Sequence, residues 1–325
     1  MTATTATFAL ADGHVRVHAV QTGTVTIKRC HHTCCLPERS PLALRLAAIL
    51  GDRRFADPMP IWCFVIEHPE RTVVIDAGAT PDYHDDASWR PDERGGKLIR
   101  SFIRIAVDPS ETLPAQLATI GVDPTDVDDI VLTHQHIDHT ASVPAFENAT
   151  VWTTAAEDAA ADRIGAFHWR WRNSTTTVRH IDTIGARNDD DPDGFAASVD
   201  LTRDRAIRAS HTPGHTPGAV TIRLATATHT IWFTGDTSFP AAAMTPTQPT
   251  AGIHTDMRAV RTLHASRAAQ PVLLPSHDWD NPARLRSAAG ELAALPTTRS
   301  TSGARGTATR ARRCRWRSWS SESAR

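Results

Sequence analysis

No stretch of this chain approaches the ~18 consecutive apolar residues of a membrane span. Its first residues, Met1 to Ala11, lack the charged start and apolar core of a secretory signal. Both absences point to a soluble, cytoplasmic protein. Cysteine is scarce, with five residues and no even framework, which fits a reducing compartment. A zinc-finger framework is also missing. Cys30-His31-His32-Thr33-Cys34-Cys35 bunches its potential ligands too tightly for paired spacing, and no second Cys/His pair follows at finger distance. That segment is expected instead as a loop leading into an amphipathic helix at Pro41–Leu50, which could overhang a site. Tyrosine occurs once, at Tyr83. Net charge is nearly absent as well, 35 Lys and Arg standing against 36 Asp and Glu, but the balance hides an asymmetry. Thr297–Arg325 holds eight Arg and one acid, Glu322, a net of +7, so the chain's −1 leaves −8 for residues 1–296. An acidic body argues against nucleic acid as a partner. The tail, rich in Arg, Ser and Thr with little apolar periodicity, is expected to be disordered. The expected division is therefore one domain over 1–296 and a basic tail over 297–325.

Against this background, apolar runs and periodicity mark alternating strands and helices. Strands are expected near Val15–Val20, Thr24–Lys28, Ile61–Glu67 and Thr72–Ile75, then a helix near Ser110–Ile120 and a strand at Asp129–Thr133. Further on come a strand at Thr150–Thr153, a helix at Ala155–Arg163, and strands at Ala206–Ser210, Ala219–Ala225 and Thr228–Phe233. A helix at Thr255–Ala269, a strand at Pro271–Leu274 and a helix at Pro282–Leu295 close the series. The fold class is α/β in two halves. Phe167-His-Trp-Arg-Trp171 reads as a wall or lid over a site, or as ordinary aromatic packing.

The most informative residues directly follow one of these strands: His134-Gln-His136-Ile-Asp138-His139 places four metal-binding side chains within six residues. Imidazole and carboxylate are ligands of Zn²⁺ and of its harder neighbours Mn²⁺ and Fe²⁺. In an extended chain, residues two apart point the same way, so His134, His136 and Asp138 are expected to converge while His139 faces a second point. More candidate ligands end other strands, where α/β folds gather their sites. His215 lies in Thr212-Pro-Gly-His-Thr-Pro-Gly218, where Pro-Gly pairs impose a tight turn. Asp236 ends Ile231-Trp-Phe-Thr-Gly-Asp236, and His277 ends Pro271-Val-Leu-Leu-Pro-Ser-His277. So many such groups clustered without a cation would waste burial.

With Asp76 in Val73-Val-Ile-Asp-Ala-Gly78, this motif order resembles that of the metallo-β-lactamase superfamily over about residues 15 to 295. The resemblance implies a four-layer αββα sandwich with the metals at one edge between the sheets. It implies one metal held by His134, His136 and His215, a second by Asp138, His139 and His277, and Asp236 bridging them. Asp76 would be a carboxylate behind the ligands that orients them. The implied cofactors are two divalent ions, Zn²⁺ first, with Mn²⁺ or Fe²⁺ as alternatives.

Metal-activated hydroxide attacking a carbonyl would give hydrolysis of an ester, lactone, thioester or amide, with Asp138 as the group that carries the proton to the leaving atom. The partner would be a small-molecule substrate. Among branches, the chain is most similar to N-acyl-homoserine lactone lactonases. The similarity rests on Pro60-Ile-Trp-Cys-Phe-Val-Ile-Glu-His68, His211-Thr-Pro-Gly-His-Thr-Pro-Gly218, Gly235-Asp-Thr-Ser238 and Pro275-Ser-His-Asp278. Those lactonases carry a tyrosine three residues after the bridging Asp, whose hydroxyl contacts substrate; here that position, in the substrate pocket, is Phe239. Class B β-lactamases generally lack a carboxylate at the position of Asp236. Glyoxalase II, a thioester hydrolase, appends a helical domain for which this chain has too few residues after His277. A mononuclear-iron persulfide dioxygenase uses a subset of the same ligands and is the alternative from another class.

Overall fold

Strand β2 (His14–Ile27) is the spine of the first sheet, because it pairs antiparallel with β1 (Thr4–Ala9), β3 (Met59–Glu67) and β5 (Ile103–Ala106). The computed structural model describes residues 3–33, 36, 40–81, 101, 103–164, 171, 176–185, 193–244 and 271–290. The chain divides into two units, Met1–Ala293 and Ala294–Arg325, and every described residue belongs to the first. The expected tail, residues 297–325, lies outside the described residues, as do the expected helix at Thr255–Ala269, Tyr83, and residues 167–170 of the aromatic segment. Its last member, Trp171, is buried in the core, as ordinary packing would have it.

The first sheet has the order β1-β2-β3-β4-β6-β7-β8, with β5 beside β2; its remaining members are β4 (Thr72–Ile75), β6 (Asp129–Val131), β7 (Thr150–Thr153) and β8 (Thr177–His180). From β4 to β8 the neighbours run parallel. The second sheet has the order β13-β12-β11-β10-β9, from β9 (Ser198–Asp200), β10 (Ile207–His211), β11 (Val220–Ala225), β12 (Thr230–Gly235) and β13 (Val272–Pro275). Its β12–β13 pair is parallel. Among the described residues there are seven α-helical segments: α1 (Arg29–His32), α2 (Leu42–Gly51), α3 (Leu113–Ile120), α4 (Ile137–Thr140), α5 (Ala155–Ile164), α6 (Ile181–Ile184) and α7 (Asn281–Ala288).

Alternation decides which way each strand faces. Val15, Val17, Phe64, Ile66, Val73 and Ile75 of the first sheet meet Ile207, Ala209, Ile222, Leu224, Ile231 and Phe233 of the second in one buried cluster. The opposite set of the first sheet, including Val20, Cys63, Val65, Val74 and Ile130, packs on Leu113 and Leu117 of α3. On the outer side of the second sheet, Trp232 and Leu273 are covered by Phe195, Ala241 and Met244. Strands buried on both faces are continuous apolar runs, as in β3, where only Glu67 is less than buried.

The two expected strands Val15–Val20 and Thr24–Lys28 form one strand, whose pairing with β3 slips between Gln21 and Thr24. The strands β1, β5, β8 and β9 were not expected. Cys30 is disulfide-bonded, which the scarcity of cysteine did not lead one to expect, whereas Cys63 is a buried free thiol. Among the described residues no helix is long and apolar enough to cross a membrane.

Candidate metal centre

Parallel pairing carries strand ends to the same edge. β4 and β6 run together, so Asp76, one residue past β4, donates its backbone N–H to Val131 O and stands beside the segment that follows β6. In the same way β12 and β13 deliver Asp236 and His277 side by side. The two sheets are joined at this edge by backbone hydrogen bonds, Val220 N to Thr133 O at 2.7 Å and Trp62 N to Ser276 O at 3.0 Å. Gly235, with φ +53°, makes the turn that presents Asp236; a Cβ there would lie 2.7 Å from Thr133 Cβ, so no other residue fits without displacement.

All seven candidate ligands converge. His136 Nδ1 lies 2.8 Å from His134 Nε2 and 3.1 Å from His215 Nε2. On the other side, His277 Nε2 is 3.5 Å and His139 Nε2 3.8 Å from Asp138 Oδ2. Asp236 stands between the two groups and divides its oxygens: Oδ2 faces His215 at 3.5 Å and His134 at 3.9 Å, Oδ1 faces His277 at 3.2 Å and His139 at 3.6 Å. The expected convergence of Asp138 with His134 and His136 does not occur. The chain stops being extended at His136 and turns into α4, which swings Asp138 round to join His139 and His277.

Behind the candidate ligands, buried acceptors fix which nitrogen His139 and His277 present. Asp76, 1% exposed, accepts from Thr133 N at 2.7 Å, from Thr133 Oγ1 at 2.8 Å and from His139 Nδ1 at 2.7 Å. His139 therefore carries its proton on Nδ1 and turns Nε2 inward. His277 Nδ1 donates to Pro60 O at 2.8 Å with the same result. Asp76 adopts φ 59°, a left-handed conformation that Asp tolerates better than most residues. The sequence did not single out Thr133, Ser276 (whose hydroxyl approaches Asp76 at 3.4 Å) or the Pro60 carbonyl. Thr133 and Ser276 sit inside the quoted motifs, but a backbone carbonyl leaves no mark on residue identity.

Electrostatics agree with a site built for positive charge. Burial, reinforced by the imidazoles of His139, His136 and His215, pulls His134 well below its ordinary 6.5. Burial also opposes protonation of His139, but the carboxylates of Asp76, Asp138 and Asp236 push it up to about 10. His277 is raised too, burial being outweighed by Asp236. Asp236 itself, which burial alone would raise, is held well below the carboxylate range by His277 and His139. Protons on His139 and His277 thus stand where a cation would otherwise balance the carboxylates.

The donor set fits metal ions. In a tetrahedral zinc site the nitrogens stand about 3.3 Å apart, given Zn–N bonds of 2.0–2.1 Å. His136 Nδ1 is already near that spacing from His134 Nε2 and from His215 Nε2, and all three nitrogens lie within 4.8 Å of one another. His139 Nε2 and Asp236 Oδ1 are buried and make no hydrogen bond, and a cation would satisfy both.

Phe239, 4% exposed, lies on this cluster, its ring 5.6 Å from that of His277 and 6.4 Å from that of His215. In addition, α1 brings His32 into a stack on Phe239, with centroids 5.8 Å apart and planes 7° from parallel, and His31 edge-on at 6.2 Å. Arg29–His32 of the Cys/His-rich segment is thus helical where a loop was expected, and it is the histidines of this segment that reach Phe239. Burial, with the nearby His215, lowers His31 to about 4.

Residues 56–277 match the family model described as metallo-beta-lactamase superfamily. Among curated relatives, the N-acyl homoserine lactonase AttM of Azorhizobium caulinodans is 28% identical over 165 residues, 49% of this chain and 57% of that one. AttM of Agrobacterium fabrum is 32% identical over 92 residues, 28% of this chain and 33% of that one. The match thus spans a little over half of the first relative and a third of the second. An N-acyl homoserine lactone hydrolase solved with N-hexanoyl-L-homoserine at its catalytic metal center superposes with a TM-score of 0.64 at 16% identity, over 86% of this chain and 95% of that one. AidC, a dizinc quorum-quenching lactonase, gives 0.53 at 14% identity, over 86% and 92%. At such identities the shared property is the fold.

Proposed function

We propose that this chain, which belongs to the metallo-β-lactamase superfamily, is a metal-dependent hydrolase that opens a lactone or ester of the N-acyl homoserine lactone kind. The observation that carries the reading is Asp236, whose two oxygens face two separate groups of imidazole and carboxylate donors. His134, His136 and His215 would hold one divalent ion, Asp138, His139 and His277 the other, and Asp236 both. Zinc suits the histidine-rich donors best, with manganese or iron as alternatives. Bound there, two cations would supply Lewis acidity and a water acidified towards neutral pH.

The chain's own residues do the rest. Asp138, at the rim of the cluster and 8% exposed, would take a proton from the attacking water and deliver it to the leaving alkoxide. Asp76 and the Pro60 carbonyl hold His139 and His277 in one tautomer, which keeps the donors preorganised. Phe239, with His32 stacked on it, would shield the substrate from water on the side where the ring lies. Phe239 has no proton to offer a leaving group, so Asp138 would carry the whole transfer.

A mononuclear-iron persulfide dioxygenase would need only part of this donor set; the completeness of the second group favours hydrolysis. A thioesterase of the glyoxalase II kind is supported by no separate observation. The test gives zinc-loaded protein N-hexanoyl homoserine lactone in an oxygen electrode. Acid release without oxygen uptake is expected. Persulfide-dependent oxygen uptake by iron-loaded protein, with no lactone opening by either form, would overturn the reading.

A further inference from the structure

The fully buried carboxylate of Glu157, in the first turn of α5, is not part of the cluster but bonds to both segments that carry the three histidines. Its Oε1 accepts the backbone N–H of Gln135 at 3.0 Å and its Oε2 that of Gly218 at 3.0 Å. Gln135 lies between His134 and His136, and Gly218 three residues after His215. Thr154 completes the grip: its hydroxyl donates to Gly218 O at 2.8 Å and accepts from Glu157 N at 3.1 Å. The contact is so close that a Cβ at residue 218 would collide with Glu157 N and Thr154 Oγ1. The next residue of the turn holds the same loop by its side chain, Gln135 Nε2 donating to Asp158 Oδ1 at 2.6 Å.

We propose that Glu157 is a positioning residue that sets the distance of His134 and His136 from His215. The proposal rests on the reading that these three histidines hold a cation. His134 and His136 come from the end of β6 in one sheet and His215 from the end of β10 in the other, so relative movement of the two loops would open the triad. Two backbone donors need two acceptors. Glutamate supplies both, whereas glutamine of the same shape would turn a donor towards one of the N–H groups and be repelled. Thr154-x-x-Glu157 resembles a helix capping box, yet the carboxylate is used on other segments.

The test is Co²⁺ titration of the full chain in two backgrounds, each retaining one half of the centre. In a His277→Ala background, where the three-histidine half remains, Glu157→Gln is expected to weaken cobalt binding 10- to 100-fold. In a His136→Ala background, where the other half remains, it is expected to change binding less than threefold. Asp182→Asn is the structural control, because Asp182 accepts from Ala155 N and Ala156 N at the start of the same helix without touching Gln135 or Gly218. It should lower the melting temperature and leave cobalt binding unchanged. If Glu157→Gln does not fold, Asp158→Ala, which removes the acceptor of Gln135 Nε2, is measured instead and should weaken only the three-histidine half. Unchanged affinity, equal loss in both backgrounds, or an equal loss in Asp182→Asn would overturn the proposal. Failure of the unsubstituted protein to bind cobalt at all would overturn the metal reading, and this proposal with it.

Discussion

Replacing Asp76 separates ligand orientation from folding. Asp76→Ala would strip the acceptor from three buried donors held within 2.8 Å, and each orphaned donor costs about 1–3 kcal/mol. Allowing for coupling among neighbours, the loss is about 3–5 kcal/mol, a large part of the roughly 5–15 kcal/mol that keeps a domain folded. Asp76→Asn is more informative. Asparagine tolerates the left-handed φ of 59° and can still accept from Thr133 N. Its amide nitrogen, however, would replace the oxygen that receives His139 Nδ1–H. His139 must then move its proton to Nε2, the atom that faces Asp236 and Asp138 at 3.6 and 3.8 Å. A protonated nitrogen cannot bind a metal, so that half of the centre should lose about 10- to 100-fold in affinity, or roughly 1.4–2.8 kcal/mol. Calorimetric titration of metal-free protein with Zn²⁺ is the assay, with His136→Ala showing which of two binding events is which. Two events of unchanged affinity, or a loss confined to the three-histidine half, would refute this role for Asp76.

Three further outcomes follow. Phe239→Tyr places a hydroxyl on a ring that already lies on the site, and a hydrogen bond to developing charge is worth roughly 1–3 kcal/mol; kcat/KM for acyl-homoserine lactones should rise about tenfold or more while activated esters change less. No lactone-selective gain in a variant that keeps its metal would count against the placement of substrate. His139, raised to about 10, stabilises metal-free protein below pH 6.5, and that stabilisation disappears as pH rises through 10. The melting temperature of metal-free protein should therefore fall between pH 7 and 10 more than that of zinc-loaded protein, and zinc binding at pH 7 should release protons; an uptake of protons would contradict this. Truncation after Pro296 should leave metal content and hydrolysis intact, as read by metal analysis and turnover.

Much of the centre was legible in the sequence because its candidate ligands His134, Asp236 and His277, and Asp76 behind them, each follow a strand that a run of apolar residues announces. The extended-chain argument failed at Asp138 because helix α4 begins within the motif, a boundary that short-range alternation cannot foresee. Strand β1 escaped because Thr4–Ala9 alternates mainly Thr and Ala, so that Phe8 is its one large buried side chain. It is a strand through pairing with β2 rather than through its own pattern. His31 and His32 reached the site, and Glu157 its two loops, only through tertiary packing. Nothing in their local spacing says which distant N–H or ring they will meet.

The central claim is that Asp236 is shared between two metals, and metal stoichiometry tests it most directly. Plasma emission analysis of purified wild-type, His136→Ala and Asp236→Ala proteins should give two divalent ions per chain, then one, then fewer than one. A wild-type protein saturating at one ion, or an Asp236→Ala protein that still holds two, would contradict it.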